Sequence, residues 1–118
     1  MACCNGTAAL YMAYRAWFGN RKAPLSMSDI TFRATANAAV LADYKVKPEP
    51  VGTDVKVDFA GMVNKTEECE VEDASHAWGS DGVGEGAGVV AMSLHAIKNL
   101  GVGEGGLVAT DDLPTLGH

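Results

Sequence analysis

Basic charge is what this sequence has least of: nine Lys plus Arg stand against fifteen Asp plus Glu, a formal net charge of −6, and no Lys/Arg run occurs in the 118 residues. A polyanion partner needs a positive footprint, so nucleic-acid binding is excluded as a function class. Large side chains are also scarce. Aromatics make up 7%, and fourteen glycines with many alanines keep side chains small, so the 47% apolar fraction yields a thinner core than the percentage suggests. The length suits one ordinary domain and not two, the apolar content excludes a disordered tail, and a lone monomer of this composition is marginally stable.

Cysteine is limited to Cys3, Cys4 and Cys69. The count is odd and the neighbours Cys3 and Cys4 can bridge only through a strained ring, which fits a reduced, cytoplasmic compartment. Together with His76, His95 and His118 the thiols show no zinc-type spacing, so no structural metal is expected. Long apolar runs are missing too. The amino terminus has no basic n-region and its apolar stretch is broken by Tyr11, Tyr14 and Arg15, which supports neither a signal peptide nor a membrane span.

What is present alternates between helix and strand patterns. Asn5-Gly6-Thr7 caps a helix from Ala8 to Phe18 that stops at Gly19-Asn20. Lys22 to Met27 reads as a strand with Pro24 near its start, and Ile30 to Ala42 as a second helix with Phe32, Ala36, Ala39 and Val40 on one face. Brief strands are expected over Tyr44 to Pro48, Glu68 to Glu72 and Leu107 to Thr110, with one or two helical turns over Asp58 to Val63. Val89 to Leu94 is a continuous apolar run of the kind found in a buried parallel strand. The pattern is α/β, in a single domain spanning 1–118, with a frayed tail over 111–118.

Gly82-Val83-Gly84-Glu85-Gly86 returns as Gly101-Val102-Gly103-Glu104-Gly105, each copy just ahead of an apolar strand. Two copies do not make a solenoid; they read as sharp turns or close backbone approaches. Gly101, Gly103 and Gly106 match the bare G-x-G-x-x-G spacing, but a dinucleotide fingerprint opens a helix, and these glycines run into Leu107-Val108-Ala109. No phosphate loop ending in Gly-Lys-Ser/Thr and no G-x-S-x-G elbow is present.

Three segments carry candidate chemistry. Asn5-Gly6-Thr7 offers free backbone N–H groups, a hydroxyl and a helix dipole suited to a phosphate, although capping alone accounts for the same residues. In Val71-Glu72-Asp73-Ala74-Ser75-His76, Asp73 falls at the carboxyl end of a strand, where α/β sheets bind ligands and where a carboxylate can keep a heterocyclic nitrogen protonated. Taken singly, Asp73 is equally a turn former and His76 an ordinary half-buried imidazole. In Ser93-Leu94-His95-Ala96-Ile97-Lys98, a lysine follows an apolar strand; apolar surroundings would make it an amine nucleophile, whereas most lysines are solvated surface groups.

In their order along the chain, Asn5-Gly6-Thr7-Ala8-Ala9-Leu10, Ile30-Thr31-Phe32-Arg33-Ala34-Thr35-Ala36-Asn37-Ala38, Glu72-Asp73-Ala74-Ser75-His76-Ala77, Ser93-Leu94-His95-Ala96-Ile97-Lys98-Asn99 and Gly103-Glu104-Gly105-Gly106-Leu107-Val108-Ala109-Thr110-Asp111-Asp112 resemble the DegT/DnrJ/EryC1/StrS aminotransferase family. The resemblance implies a partial three-layer αβα sandwich, like the large cofactor domain of aspartate-aminotransferase-like enzymes, with a mostly parallel sheet. It also implies a pyridoxal 5'-phosphate (PLP) enzyme that moves an amino group from a donor such as glutamate to a nucleotide-linked keto sugar. Lys98 would be the Schiff-base lysine and proton shuttle, and Asp73 would pair with the pyridinium nitrogen so that the ring serves as an electron sink. Gly6, Thr7 and Ser93 would hold the phosphate, Phe32 would stack on the ring, and His76 would sit near its phenolic oxygen. For Phe32, a core-facing helix residue is an equal reading.

The chain departs from the family's pattern in length. The middle reads as compressed, no small carboxyl-terminal domain is expected within these 118 residues, and Ser26-Met27-Ser28-Asp29 replaces an apolar strand and proline ahead of Ile30-Thr31-Phe32. A shortened parallel sheet leaves apolar edges to be covered, which implies a homodimer or a completing chain, or that this is a partial copy of a longer protein. A non-catalytic or partner-dependent remnant of the cofactor domain is the alternative. A related dehydratase, which carries histidine in place of the lysine, is disfavoured by Lys98.

Overall fold

The first helix begins where its cap places it. Asn5 has an extended backbone (φ −165°, ψ 173°), and its Oδ1 accepts the Ala8 N–H at 2.9 Å. In the computed structural model, which describes residues 1–17, 24–50, 71–85 and 87–111, this helix, α1, runs Gly6–Ala16. It starts two residues before the expected Ala8 because Gly6 and Thr7 already lie inside the capped turn. Gly6, Ala9, Leu10, Ala13 and Tyr14 form its buried face, at helical spacings of three and four. The expected stop at Gly19-Asn20 lies outside the described residues.

The second helix, α2, runs Arg33–Leu41 and starts later than the pattern suggested. Ser28 is the reason: its Oγ accepts the Ile30 N–H at 3.3 Å and its carbonyl accepts the Thr31 N–H at 3.1 Å, so residues 28–31 are held in a turn. Phe32 therefore becomes the N-cap residue instead of a core-facing helix residue, and it is 67% exposed. At the other end Asp43 adopts φ 69°, the left-handed conformation that commonly ends a helix. Thr35, Ala38 and Ala39 are the buried residues of α2, and these small side chains pack it against α1.

Two sheets lie beside the helices. Strands β1 (Ala2–Cys3), β4 (Val71–Asp73), β5 (Val89–Ser93) and β6 (Gly106–Ala109) form a four-stranded sheet in the order β1-β6-β5-β4. Strands β2 (Leu25–Ser28) and β3 (Val46–Glu49) form a separate parallel pair, with Leu25 opposite Val46. The α/β class stands. The mostly parallel sheet, however, is corrected to a mixed one: β4 and β5 are parallel, whereas β5–β6 and β1–β6 are antiparallel. The link between β5 and β6 has a physical explanation, since residues 94–105 contain no crossover helix and turn back on themselves through glycines, Gly103 at φ 104°.

The β5 run is buried on both faces, as its composition suggested. Val89 and Ala91 join Leu10, Ala13, Val71 and Val108 under α1, while Val90 faces Ala74 and Ala77 on the opposite side. The glycine spacing at 101–106 does open a strand and not a helix, because Gly106 is the first residue of β6. A Cβ at Gly106 would collide with the Asn5 carbonyl, so glycine there lets the start of α1 rest on the sheet. The expected helical turns over Asp58 to Val63 lie outside the described residues, as do 112–118 of the expected frayed tail. Among the described residues no helix is long and apolar enough to cross a membrane.

Candidate active site

Because α1 starts beside the carboxyl end of β5, the first helical residue meets the last strand residue. A Cβ built on Gly6 would stand 2.7 Å from Ser93 Cβ, closer than side-chain carbons pack, so the two segments touch at a point only glycine fits. The Asn5 side chain satisfies the Ala8 N–H, which leaves the amides of Gly6 and Thr7 at the helix start facing the same end of the sheet. Ser93 Oγ accepts the His95 N–H at 3.3 Å and so turns the chain out of β5 into the lysine segment.

The end of β4 contributes the carboxylate. Asp73 is only 7% exposed; its Oδ2 accepts the Thr35 hydroxyl at 2.5 Å and its Oδ1 accepts the Ser75 N–H at 3.1 Å. Asp73 is therefore a turn former, since Oδ1 closes an Asx-type turn while Oδ2 is held from α2. Thr35 was not anticipated as a site residue. A threonine among the alanines of α2 is a visible signal, but only the fold brings it to a residue 38 positions away.

Lys98 leaves a turn closed by its own N–H on the His95 carbonyl at 2.8 Å, and its Nζ stands 2.7 Å from His76 Nε2. The Nζ also lies 5.9 Å from the centre of the Phe32 ring, within cation–π range. Burial disfavours the ammonium and holds the Lys98 pKa below the usual lysine range, with the Asp73 charge pulling in the opposite direction. His76 is likewise lowered, first by burial and then by the Lys98 charge, with Asp73 again opposing. The 2.7 Å contact places an imidazole nitrogen within proton-sharing distance of the amine.

All seven residues singled out from the sequence, Gly6, Thr7, Phe32, Asp73, His76, Ser93 and Lys98, line one cleft of about 680 Å³. The cleft also takes in residues that sequence reasoning had not assigned. His95 Nε2 stands 3.3 Å from Glu104 Oε1, joining the lysine turn to the second glycine-rich copy. Arg33 lines the cleft from the first position of α2. His95 and Glu104 were within reach of the sequence, lying inside the lysine motif and the Gly-Glu-Gly-Gly tail; their pairing was not.

A helix start, a strand-end carboxylate and a turn-borne lysine surround one cleft in a partial aminotransferase-like fold. The fold agrees: the structure superposes on NtdA from Bacillus subtilis, solved with its cofactor PMP bound, with a TM-score of 0.72 at 19% identity, over 98% of this chain and 34% of that one. The DegT/DnrJ/EryC1/StrS aminotransferase family model matches residues 1–68 and 62–116, and the chain belongs to that family. Two similar proteins are UDP-4-amino-4,6-dideoxy-N-acetyl-beta-L-altrosamine transaminases of Campylobacter jejuni subsp. jejuni, 31% identical in serotype O:2 and 28% in serotype O:23/36. Each alignment covers 92% of this chain and 38% of the relative, so the chain spans well under half the length of the curated relatives it matches.

Proposed function

We propose that this chain is a PLP-binding portion of a transaminase that moves an amino group from an amino-acid donor to a nucleotide-linked keto sugar. The observation that carries the reading is the convergence of Lys98, Asp73 and the Gly6-Thr7 helix start on one cleft. The donor set suits the cofactor's three chemical handles: amides and a hydroxyl for the phosphate, a buried carboxylate for a protonated ring nitrogen, and a desolvated amine for the aldehyde. When bound, the cofactor supplies the electron sink that lets an α-proton leave.

The chain's own residues do the rest. Gly6 and Thr7 N–H groups and the Ser93 hydroxyl would anchor the phosphate, and Phe32 would cover one ring face. Asp73, locked by Thr35 and Ser75, would hold its charge at a fixed point. Lys98 would take and return the proton, with His76 as the neighbouring acceptor at 2.7 Å. Exposed Ile30 (51%) and Ile97 (80%) rim the cleft, which supports a homodimer or a completing chain closing over it. Free thiols at Cys3 and Cys4 fit a cytoplasmic setting.

The second reading is a non-catalytic or partner-dependent remnant of the cofactor domain. One experiment separates the two. Purified chain mixed with PLP is expected to develop the yellow absorbance of the protein-bound cofactor, and borohydride should fix the cofactor to Lys98, seen as a mass increase on the peptide that contains it. If Lys98→Ala retains the cofactor equally after borohydride, the assignment of Lys98 fails.

A further inference from the structure

Among the described residues, the charged groups lining the cleft are matched with one exception. Asp73 is held by Thr35 and Ser75, His76 by Lys98, and His95 by Glu104. Arg33, exposed at the first position of α2, has no hydrogen bond, ion pair or ring contact among the described residues. In a chain of net charge −6, an unpaired guanidinium at a ligand cleft stands out. Two neighbouring features share its preference for an anion. The start of α2 has no side-chain cap; the Thr35 N–H bonds the Phe32 carbonyl, and the N–H groups of Arg33 and Ala34 have no partner among the described residues. The Thr31 hydroxyl, in a residue that lines the same cleft, is buried without a hydrogen-bond partner among the described residues.

We propose that Arg33, with the open start of α2 and the Thr31 hydroxyl, forms a subsite at the mouth of the cleft that binds the carboxylate of the amino-acid donor. The planar fork of arginine matches the two oxygens of a carboxylate, and the subsite adjoins Phe32, whose ring lies 5.9 Å from the Lys98 amine. A donor held there would have its carboxylate fixed on the same side of the cleft as the reacting amine. The carboxylate identity rests on the transaminase reading above; the anion preference of the subsite stands on the three features alone.

The test uses the full chain without cofactor, titrated with glutarate and, separately, with uridine diphosphate, and followed through the arginine side-chain NH resonances and by calorimetry. Glutarate is expected to bind, to shift the Arg33 Nε–H signal, and to bind more weakly as salt rises. Arg33→Gln should weaken glutarate binding about tenfold or more, Arg33→Lys by less, and Arg15→Gln, which alters an exposed pair with Asp43, not at all. Because Arg33 is exposed, its variants should melt with the parent, which a circular-dichroism melt checks. The proposal is overturned if glutarate does not bind, if Arg33→Gln binds it as well as the parent, or if only uridine diphosphate binds through Arg33. Borohydride fixation of PLP on Lys98 reports separately on the transaminase reading, so glutarate binding without cofactor fixation would sink that reading alone, and the converse would sink this one.

Discussion

Gly6→Ala sets two ordinary expectations against each other. Alanine is the better helix former, by up to about 1 kcal/mol over glycine in a helix interior and less at a first turn, so propensity alone predicts stabilisation. The structure predicts the reverse. The new methyl would sit 2.7 Å from Ser93 Cβ, 3.0 Å from Ser93 Oγ and 3.2 Å from Ser93 Cα, where ordinary carbon contacts begin near 3.5 Å. Relief cannot come from a rotamer, because Cβ and Cα move only with the β5 backbone, and overpacking of that kind costs roughly 1–3 kcal/mol. Net destabilisation of about 1–2 kcal/mol should lower Tm by roughly 4–10 °C. Ser93→Gly removes the opposing Cβ, so the double variant should recover about 1 kcal/mol relative to the sum of the single changes. Thermal melts of the four proteins supply the cycle. A Gly6→Ala protein as stable as the parent, or a cycle with no coupling, would refute the close approach of α1 to β5. The same variant should also lose PLP, since the helix start is displaced from the sheet.

Lys98 should react with an amine-directed reagent at lower pH than an ordinary lysine, because burial lowers its pKa; Asp73→Asn, which removes the charge that raises it, should move the reaction lower still, as read by peptide mass mapping across pH. An upward move in Asp73→Asn would contradict the arrangement. His76 has a folded pKa below its ordinary 6.5, so the unfolded chain binds the extra proton first and stability should fall as pH drops through about 6.5 toward the lowered value. Urea midpoints measured over that range should flatten in His76→Gln. Thr35→Val takes away the hydroxyl held by Asp73 and should cost about 1–3 kcal/mol in urea unfolding, with Thr35→Ser recovering part of it.

Several parts of this arrangement were legible one segment at a time. Asn5 announced α1 because a cap is a local hydrogen bond, closed within three residues. The β5 run showed its burial because a strand covered on both faces has no polar alternation. The order of the motifs grouped seven residues, and all seven line one cleft. Other parts were not legible. The two-residue strand β1 is too short for any pattern, and the late start of α2 depended on the Ser28 turn competing with an Ala-rich helix. The direction of β6 depended on how residues 94–105 fold back, through Ala96 N–H on the Gly103 carbonyl and Val102 N–H on the Leu94 carbonyl.

The sequence by itself determined which side chains were available and where along the chain each would emerge: a capped helix start, a carboxylate and a lysine each just past a strand, and an apolar run to bury. Those are properties of neighbours in the chain, set by capping, propensity and side-chain period. Tertiary structure alone decided which groups meet. It set Lys98 against His76, Thr35 against Asp73 and Gly6 against Ser93, and left Arg33 without a partner among the described residues. The reason is that hydrogen bonding, desolvation and charge interaction act over a few ångströms of space, and residues dozens of positions apart come within that range only when the sheet and its helices pack.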